Sequence, residues 1–165
     1  MKHQQQGFTL IEIMVVVVIA AILMGAVTLS FPRTGDDLIK EEADRFSALV
    51  SLLEDEAILQ SRDMAIAIND AGYAFYQNKG EVWEKYADRP FVARHLEAGI
   101  PSELYIEGIP VQLKKIDKTR PQIVAYTSGE VTPFLYIIGD LNHSHVKVEV
   151  NPAGNVKQTY KSDNE

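Results

Sequence analysis

A single apolar run dominates the start of this chain. Residues 8–31 read FTLIEIMVVVVIAAILMGAVTLSF and carry one charged side chain, Glu12. As an α-helix these 24 residues would extend ~36 Å, which is more than the ~30 Å hydrocarbon core of a bilayer. In lipid the backbone must satisfy its own hydrogen bonds, so a helix is expected even across the β-branched run Val15–Val18. We therefore predict a transmembrane helix over residues 8–31.

Glu12 places a charged side chain within this apolar segment, which is unusual for a membrane helix. A plain anchor or a removable signal peptide would explain the apolar run, although the short start Met1–Gly7, with one lysine, is weakly basic for a signal peptide. Neither alternative explains a carboxylate within the run, which costs ~2.5–3.5 kcal/mol near the centre of a membrane helix. The carboxylate therefore indicates a functional role with a cationic partner.

The hexapeptide Gly7-Phe8-Thr9-Leu10-Ile11-Glu12, between a short leader and an apolar run, resembles the amino-terminal signature of type IV pilins and type II secretion pseudopilins. The resemblance implies that a prepilin peptidase removes residues 1–7 by cutting after Gly7, and that the new terminus, Phe8, is N-methylated. It also implies that Glu12 pairs with the terminal amine of a neighbouring subunit. Because removing one partner of such a buried pair strands the other charge, Glu12 is expected to set the register of assembly.

Residues 32–62 read as an amphipathic continuation of the helix. Pro32 is expected to bend or interrupt the helix, and Asp36 or Asp37 is expected to cap the segment that follows. Apolar residues then recur in alternating steps of four and three, which favours packing on the protein's own sheet over a coiled-coil seam. This stripe consists of Ile39, Ala43, Phe46, Val50, Leu53 and Ala57.

The residue pattern of the remaining chain, residues 63–165, predicts a β-rich domain. Short strand-like runs alternate with turn residues, at 64–69, 73–77, 81–86, 104–106, 111–116, 122–127, 134–138, 145–150 and 156–160. A short helical turn is expected near residues 92–96, and a polar tail from Lys161. The predicted class is α+β and pilin-like, with a long N-terminal helix packed on an antiparallel sheet or a two-sheet sandwich.

Three further segments resemble the minor pseudopilin H family of the type II (general) secretion pathway: residues 55–62, residues 72–75 with Trp83, and residues 128–134 with Gly139. The resemblance implies a structural role near the tip of the periplasmic pseudopilus, linking a tip complex of the I, J and K types to the major G type and supporting export of folded proteins across the outer membrane. The implied partners are those pseudopilins, the prepilin peptidase and the inner-membrane secretion platform. The implied location is the bacterial inner membrane, with one membrane pass and a periplasmic C-terminal domain.

The residues do not indicate an enzyme. The chain has no cysteine, its serines lack a nucleophile elbow, and it has no phosphate-binding loop. His143 and His145 form the only close histidine pair, and Asp140 could join them, but a third well-placed metal ligand is not evident. We therefore predict a solvated turn there, no catalytic residues, no metal and no cofactor.

A type IV pilus minor pilin, acting in pilus assembly or DNA uptake, is the alternative function because it would share the amino-terminal signature. A DNA-binding protein needs a basic surface to neutralise phosphates. The chain carries a net charge of -7, and loss of Lys2 with the leader leaves a mature form at net -8. Nucleic acid is therefore not an expected partner.

Overall fold

The structure is a computed structural model that describes residues 9–27, 34–80, 82–97, 99–113 and 120–162. The chain divides into two units, Met1–Arg33 and Thr34–Glu165. The first unit contains helix α1 (Leu10–Val27), and the second contains helix α2 (Gly35–Leu59) followed by strands. Helices at the amino end and antiparallel strands after them confirm the predicted α+β class.

Helix α2 begins at a capping box. Thr34 is the N-cap, and its side-chain oxygen accepts a hydrogen bond of 3.3 Å from the Asp37 backbone N–H. In return, the Thr34 backbone N–H donates to Asp37 Oδ2 at 3.1 Å. The predicted N-cap at Asp36 or Asp37 is therefore wrong, because both residues lie in the first helical turn, where their charge favours the positive end of the helix dipole.

The apolar stripe of α2 is buried as its spacing predicts. Phe46 and Ala57 are fully buried, and every member of the stripe is at most 8% exposed. The Phe46 ring contacts aromatic rings of strands on both sheets, with centroids 5.0 Å from Tyr73 and 4.8 Å from Tyr136. The helix therefore packs on the protein's own sheets, and one core joins it to both.

The strands pair in two antiparallel sheets, so of the two predicted arrangements, one sheet or two, the structure has the second. Sheet A has the order β3-β2-β1-β7, with β4 also paired to β2, and sheet B has the order β10-β9-β8-β5-β6. The strands are β1 (Met64–Asn69), β2 (Gly72–Lys79), β3 (Val82–Tyr86), β4 (Arg94–His95), β5 (Ser102–Ile106), β6 (Ile109–Val111), β7 (Ile123–Ala125), β8 (Phe134–Gly139), β9 (His145–Val150) and β10 (Val156–Lys161).

Four local expectations differ from the structure. The helical turn expected at residues 92–96 is instead the short strand β4, in which Arg94 pairs with Tyr73 of β2. The strand expected at 111–116 lies earlier, as β6, while residues 114–119 lie outside the described part of the chain. The strand expected at 122–127 is shorter, as β7. Before it, the Gln122 side chain bonds the backbone N–H and C=O of Ile68, and after it the Tyr126 N–H donates to the Glu130 carbonyl in a turn. The strand β10 also includes Lys161, the first residue of the expected tail.

Candidate functional site

The amino end of α1 carries the one described residue of the predicted assembly site, Glu12. Its backbone N–H donates to the Thr9 carbonyl at 3.1 Å and lies 3.4 Å from Thr9 Oγ1. Thr9 therefore caps the first turn, with Glu12 three residues later, as in a Thr-x-x-Glu capping pattern. The sequence analysis missed this role of Thr9, although the spacing of the two residues was available to find it.

Apart from Glu12, the side chains from Leu10 to Ile22 of α1 are apolar on every side of the helix. All residues from Leu10 to Ile19 are exposed, including Leu10 at 80% and Val17 at 60%. A helix that is hydrophobic all round requires an apolar environment, either a membrane or other protein chains. Glu12 belongs to that exposed surface, so its carboxylate is open to a partner.

Residues 1–8 and 28–33 lie outside the described part of the chain, and they include the predicted site residues Gly7, Phe8 and Pro32. Among the described residues, neither helix combines the length and hydropathy that a membrane crossing requires. The leader cleavage, the helix bend and the membrane span therefore stay predictions.

The outer face of α2 presents both charge and apolar surface. Leu52 is 45% exposed and Leu59 is 80% exposed, seven residues apart on the side facing away from the sheets. One turn or more before them, the Arg45 guanidinium binds Glu42 at 2.5 Å and Glu41 at 2.7 Å. This face is suited to contact with another helix, with ionic groups at one end and leucines at the other.

The Glu42 carboxylate also ties α2 to sheet A. The Tyr73 hydroxyl donates to Glu42 Oε1 at 2.7 Å. Burial, reinforced by this bond to a carboxylate, raises the pKa of Tyr73 far above its usual range, so the hydroxyl stays protonated as a donor. The cluster is positioned to hold the helix on the sheet.

Residues of two of the three family-like segments, 55–62 and 128–134, serve the fold. Near the end of α2, Glu56 accepts a hydrogen bond of 2.9 Å from the Tyr86 hydroxyl of β3. In the later segment, Gly129 has φ +84°, and its N–H donates to the Tyr126 carbonyl at 3.0 Å. The chain then enters β8, where Phe134 is 4% exposed. A turn leading into a core strand is what the sequence predicts for this segment.

The two histidines of the predicted pair lie in different surroundings. His145 lies in β9 and is 3% exposed, whereas His143 is exposed, so the predicted solvated turn is right for His143 and wrong for His145. The nearby Asp140 carboxylate accepts the Asn142 backbone N–H at 2.9 Å. Within the described ranges, no group of three or more His, Cys, Asp or Glu side chains could hold a metal ion.

Comparisons with known proteins point in one direction. The prokaryotic N-terminal methylation motif matches residues 2–28. The type II secretion system protein H of Pectobacterium carotovorum is 28% identical over 158 residues, covering 85% of this chain and 84% of that protein. In fold, the chain is similar to the minor pseudopilin EpsH from the type 2 secretion system of Vibrio cholerae, with a TM-score of 0.61 at 24% identity over 75% of this chain and 98% of that one.

A second relative is close enough to establish the family. The type II secretion system protein H of Pseudomonas aeruginosa is 31% identical over 141 residues, which cover 78% of this chain and 80% of that protein. The shared fold and the methylation motif agree with that relationship. The chain therefore belongs to the type II secretion system protein H family, the minor pseudopilins of that pathway.

Proposed function

We propose that the chain works as a processed, membrane-inserted subunit of a type II secretion pseudopilus. Prepilin peptidase cuts after Gly7, and the new terminus, Phe8, is methylated. Residues 8–31 then hold the protein in the bacterial inner membrane with a single pass, and the unit that begins at Thr34 lies in the periplasm. The match of the methylation motif to residues 2–28 supports this maturation.

The observation that carries the assembly role is the position of Glu12. It is the one charged residue of the apolar run 8–31, and it lies exposed in the first turn of α1. A neighbouring subunit that brings the methylated amine of its Phe8 to this carboxylate neutralises both charges in an apolar environment. Methylation leaves the amine positively charged, so the pairing is compatible with the modification.

The place of the subunit in the fibre is part of the same proposal. It lies near the tip, between the I, J and K types and the major G type, and it supports export of folded proteins across the outer membrane. The outer face of α2, with Leu52 and Leu59 exposed, supplies surface for such neighbours. The role is structural rather than enzymatic, with no cofactor, and the inner-membrane platform is the partner at the fibre base.

Mass spectrometry of the mature amino terminus tests the processing. The expected product begins at Phe8 and carries one added methyl group. A Gly7→Ala precursor should keep residues 1–7, whereas His3→Ala, a change within the leader away from the cleavage site, should be processed normally. Normal cleavage of the Gly7 variant would remove the prepilin interpretation.

Crosslinking within the fibre tests Glu12. Glu12→Ala removes the carboxylate, so membrane insertion should be kept or improved while crosslinks to adjacent pseudopilins fall. Val16→Ala, on the same exposed helix, is the matched control and should crosslink as the parent does. Unchanged crosslinking of the Glu12 variant would contradict the pairing.

The type IV pilus alternative receives no separate support. Its DNA-uptake form requires a basic surface, whereas the mature chain has net charge -8. Salt-sensitive retardation of DNA by the purified chain would reverse this preference.

A further inference from the structure

Sheet A carries a cavity of about 430 Å³ that the proposed assembly role does not use. This volume lies within the range of ligand pockets, about 300–1,000 Å³. Apolar and aromatic groups line much of the cavity, and polar side chains stand at its rim. Six lining residues define its chemistry: Ala74, Tyr76, Trp83, Lys85, Arg94 and His95.

The register of sheet A explains why these side chains meet. Directly opposed residues of antiparallel strands project from the same face, and Lys85 of β3 lies opposite Tyr76 of β2. Two residues earlier on each strand, Trp83 and Ala74 share that face because side chains alternate along a strand. Tyr76 and Ala74 form a small buried cluster with Trp83 packed against it, separate from the core under α2.

The charge of the cavity is opposite to that of the protein. Lys85, Arg94 and His95 lie at the cavity, and no acidic side chain of the described residues lines it. The whole chain, in contrast, has a net charge of -7. A local cationic rim on an acidic protein complements a carboxylate-bearing ligand.

The exposed edge strand β3 beside the cavity favours a ligand with an extended main chain. Strand β3 is the last strand on its side of sheet A and pairs with β2 along its other edge. Within the described ranges no strand pairs with its outer edge, so the main-chain groups there can accept an added extended strand, as in recognition by β-augmentation. A strand that pairs there presents every second side chain to the cavity face, beside Trp83 and Lys85.

We infer that the cavity and the outer edge of β3 together bind an extended acidic peptide segment of a partner protein. The main chain of that segment pairs with β3, an apolar side chain packs on the Trp83 and Tyr76 rings, and carboxylates lie beside Lys85 and Arg94. This interaction goes beyond the proposed function and does not depend on processing or on Glu12.

Trp83 provides a direct readout because it is the only tryptophan of the chain. The full chain in detergent is titrated with a capped heptapeptide of alternating glutamate and valine. A saturable change in Trp83 emission is expected, with an affinity that falls as salt increases. A matched glutamine–valine peptide should bind at least about tenfold more weakly, because it lacks the charge-assisted bonds. Equal binding of the two peptides, or no saturable change with either, would overturn the inference.

Charge reversal locates the site. Lys85→Glu combined with Arg94→Glu should abolish binding of the glutamate peptide and create binding of a lysine–valine peptide. Lys157→Glu, an exposed reversal on β10 of the other sheet, should leave binding unchanged. If the double reversal alters the far-UV circular dichroism, Lys85→Gln with Arg94→Gln serves instead and should also lose the glutamate peptide. Retained binding by a folded double variant would overturn the site.

Three further measurements test how the peptide binds and whether another kind of ligand binds instead. Methylating alternate peptide nitrogens should abolish binding, since it blocks pairing with β3, and retained affinity would contradict the strand arrangement. Displacement of the peptide by lower concentrations of oligothymidylate would indicate nucleic acid instead. The same emission change on raising protein concentration alone would indicate a second copy of the chain. Glu12→Ala should leave peptide binding intact, so failure here is distinguishable from failure of fibre assembly.

Discussion

Gly139 lies so close to Ser144 that a Cβ atom on the glycine would be 2.4 Å from the Ser144 carbonyl oxygen. The glycine also has φ +105°, a backbone conformation that L side chains rarely adopt. Strand β8 ends at Gly139, and Ser144 immediately precedes β9, so the pair closes the connection between two central strands of sheet B.

Gly139→Ala should lower the free energy of unfolding by more than the ~1–2 kcal/mol expected from backbone strain alone, because it adds a backbone clash to that strain. Urea unfolding followed by Trp83 fluorescence measures the loss. Gly108→Ala is the matched control, since Gly108 has φ +80° but open space around it, and it should cost about 1–2 kcal/mol from strain alone. Equal losses for the two variants would show that the contact with Ser144 is unimportant.

Tyr73→Phe should destabilise the protein by about 1–3 kcal/mol, because it removes a donor from the half-buried Glu42 carboxylate. Tyr105→Phe makes the same chemical change at a hydroxyl that bonds Glu103 at 2.6 Å on the exposed surface. That control should cost less than about 0.5 kcal/mol. Urea unfolding of both variants under one set of conditions provides the comparison, and similar losses would contradict the role of Tyr73.

Thr34→Ala should reduce stability by about 0.5–2 kcal/mol, since it removes the side-chain acceptor that caps α2. Thr34→Ser keeps the hydroxyl and should retain most of the parental stability. Thermal unfolding by circular dichroism distinguishes the three chains. A serine variant as unstable as the alanine variant would indicate that packing of the threonine methyl, rather than the cap, is responsible.

The same cap predicts a dependence of stability on pH. Hydrogen bonds from the Thr34 side chain and backbone lower the pKa of Asp37 below its ordinary value near 3.8. A depressed folded-state pKa stabilises the fold above the unfolded-state pKa, and this contribution is lost as pH falls through the folded-state value.

The Tm of the parent should therefore exceed that of Asp37→Asn at neutral pH, and the difference should shrink as pH falls from about 5 to about 2. Asp44→Asn, an exposed change on the same helix, is the control. A difference between parent and Asp37→Asn that stays constant over this range would exclude ionisation of Asp37 as its cause.

Regular periodicity makes the stripe of α2 predictable from the order of its residues. Ile39, Phe46 and Leu53 recur at helical spacing, and a helix that buries one face must place such residues inward. The strand from Phe134 is predictable for a similar reason, because alternation and a preceding turn are local features. Thr9 and Thr34 also form local capping patterns, but their significance depends on where each helix begins.

Pairing between distant segments explains the errors. Arg94 and His95 look compatible with a helical turn by themselves, yet their backbone groups are satisfied by Tyr73 and Gly72 of β2. The polar residues before His145 suggest a turn at the surface. Its pairing with Gly139 of β8 instead places His145 in the interior. Local propensity is a weak guide where a neighbouring strand determines the conformation.

The family and the α+β class follow from sequence alone, because they depend on motifs and periodicities contained within short segments. The assembly role of Glu12 depends on the same kind of local motif and stays a prediction. The cavity beside Trp83 depends on the tertiary structure, since its walls come from β2, β3 and β4, whose side chains share a face only once the register of sheet A is fixed. Helical spacing depends on residues within one segment, whereas the cationic rim around the aromatic cavity exists only after the separate strands β2, β3 and β4 have paired in one register.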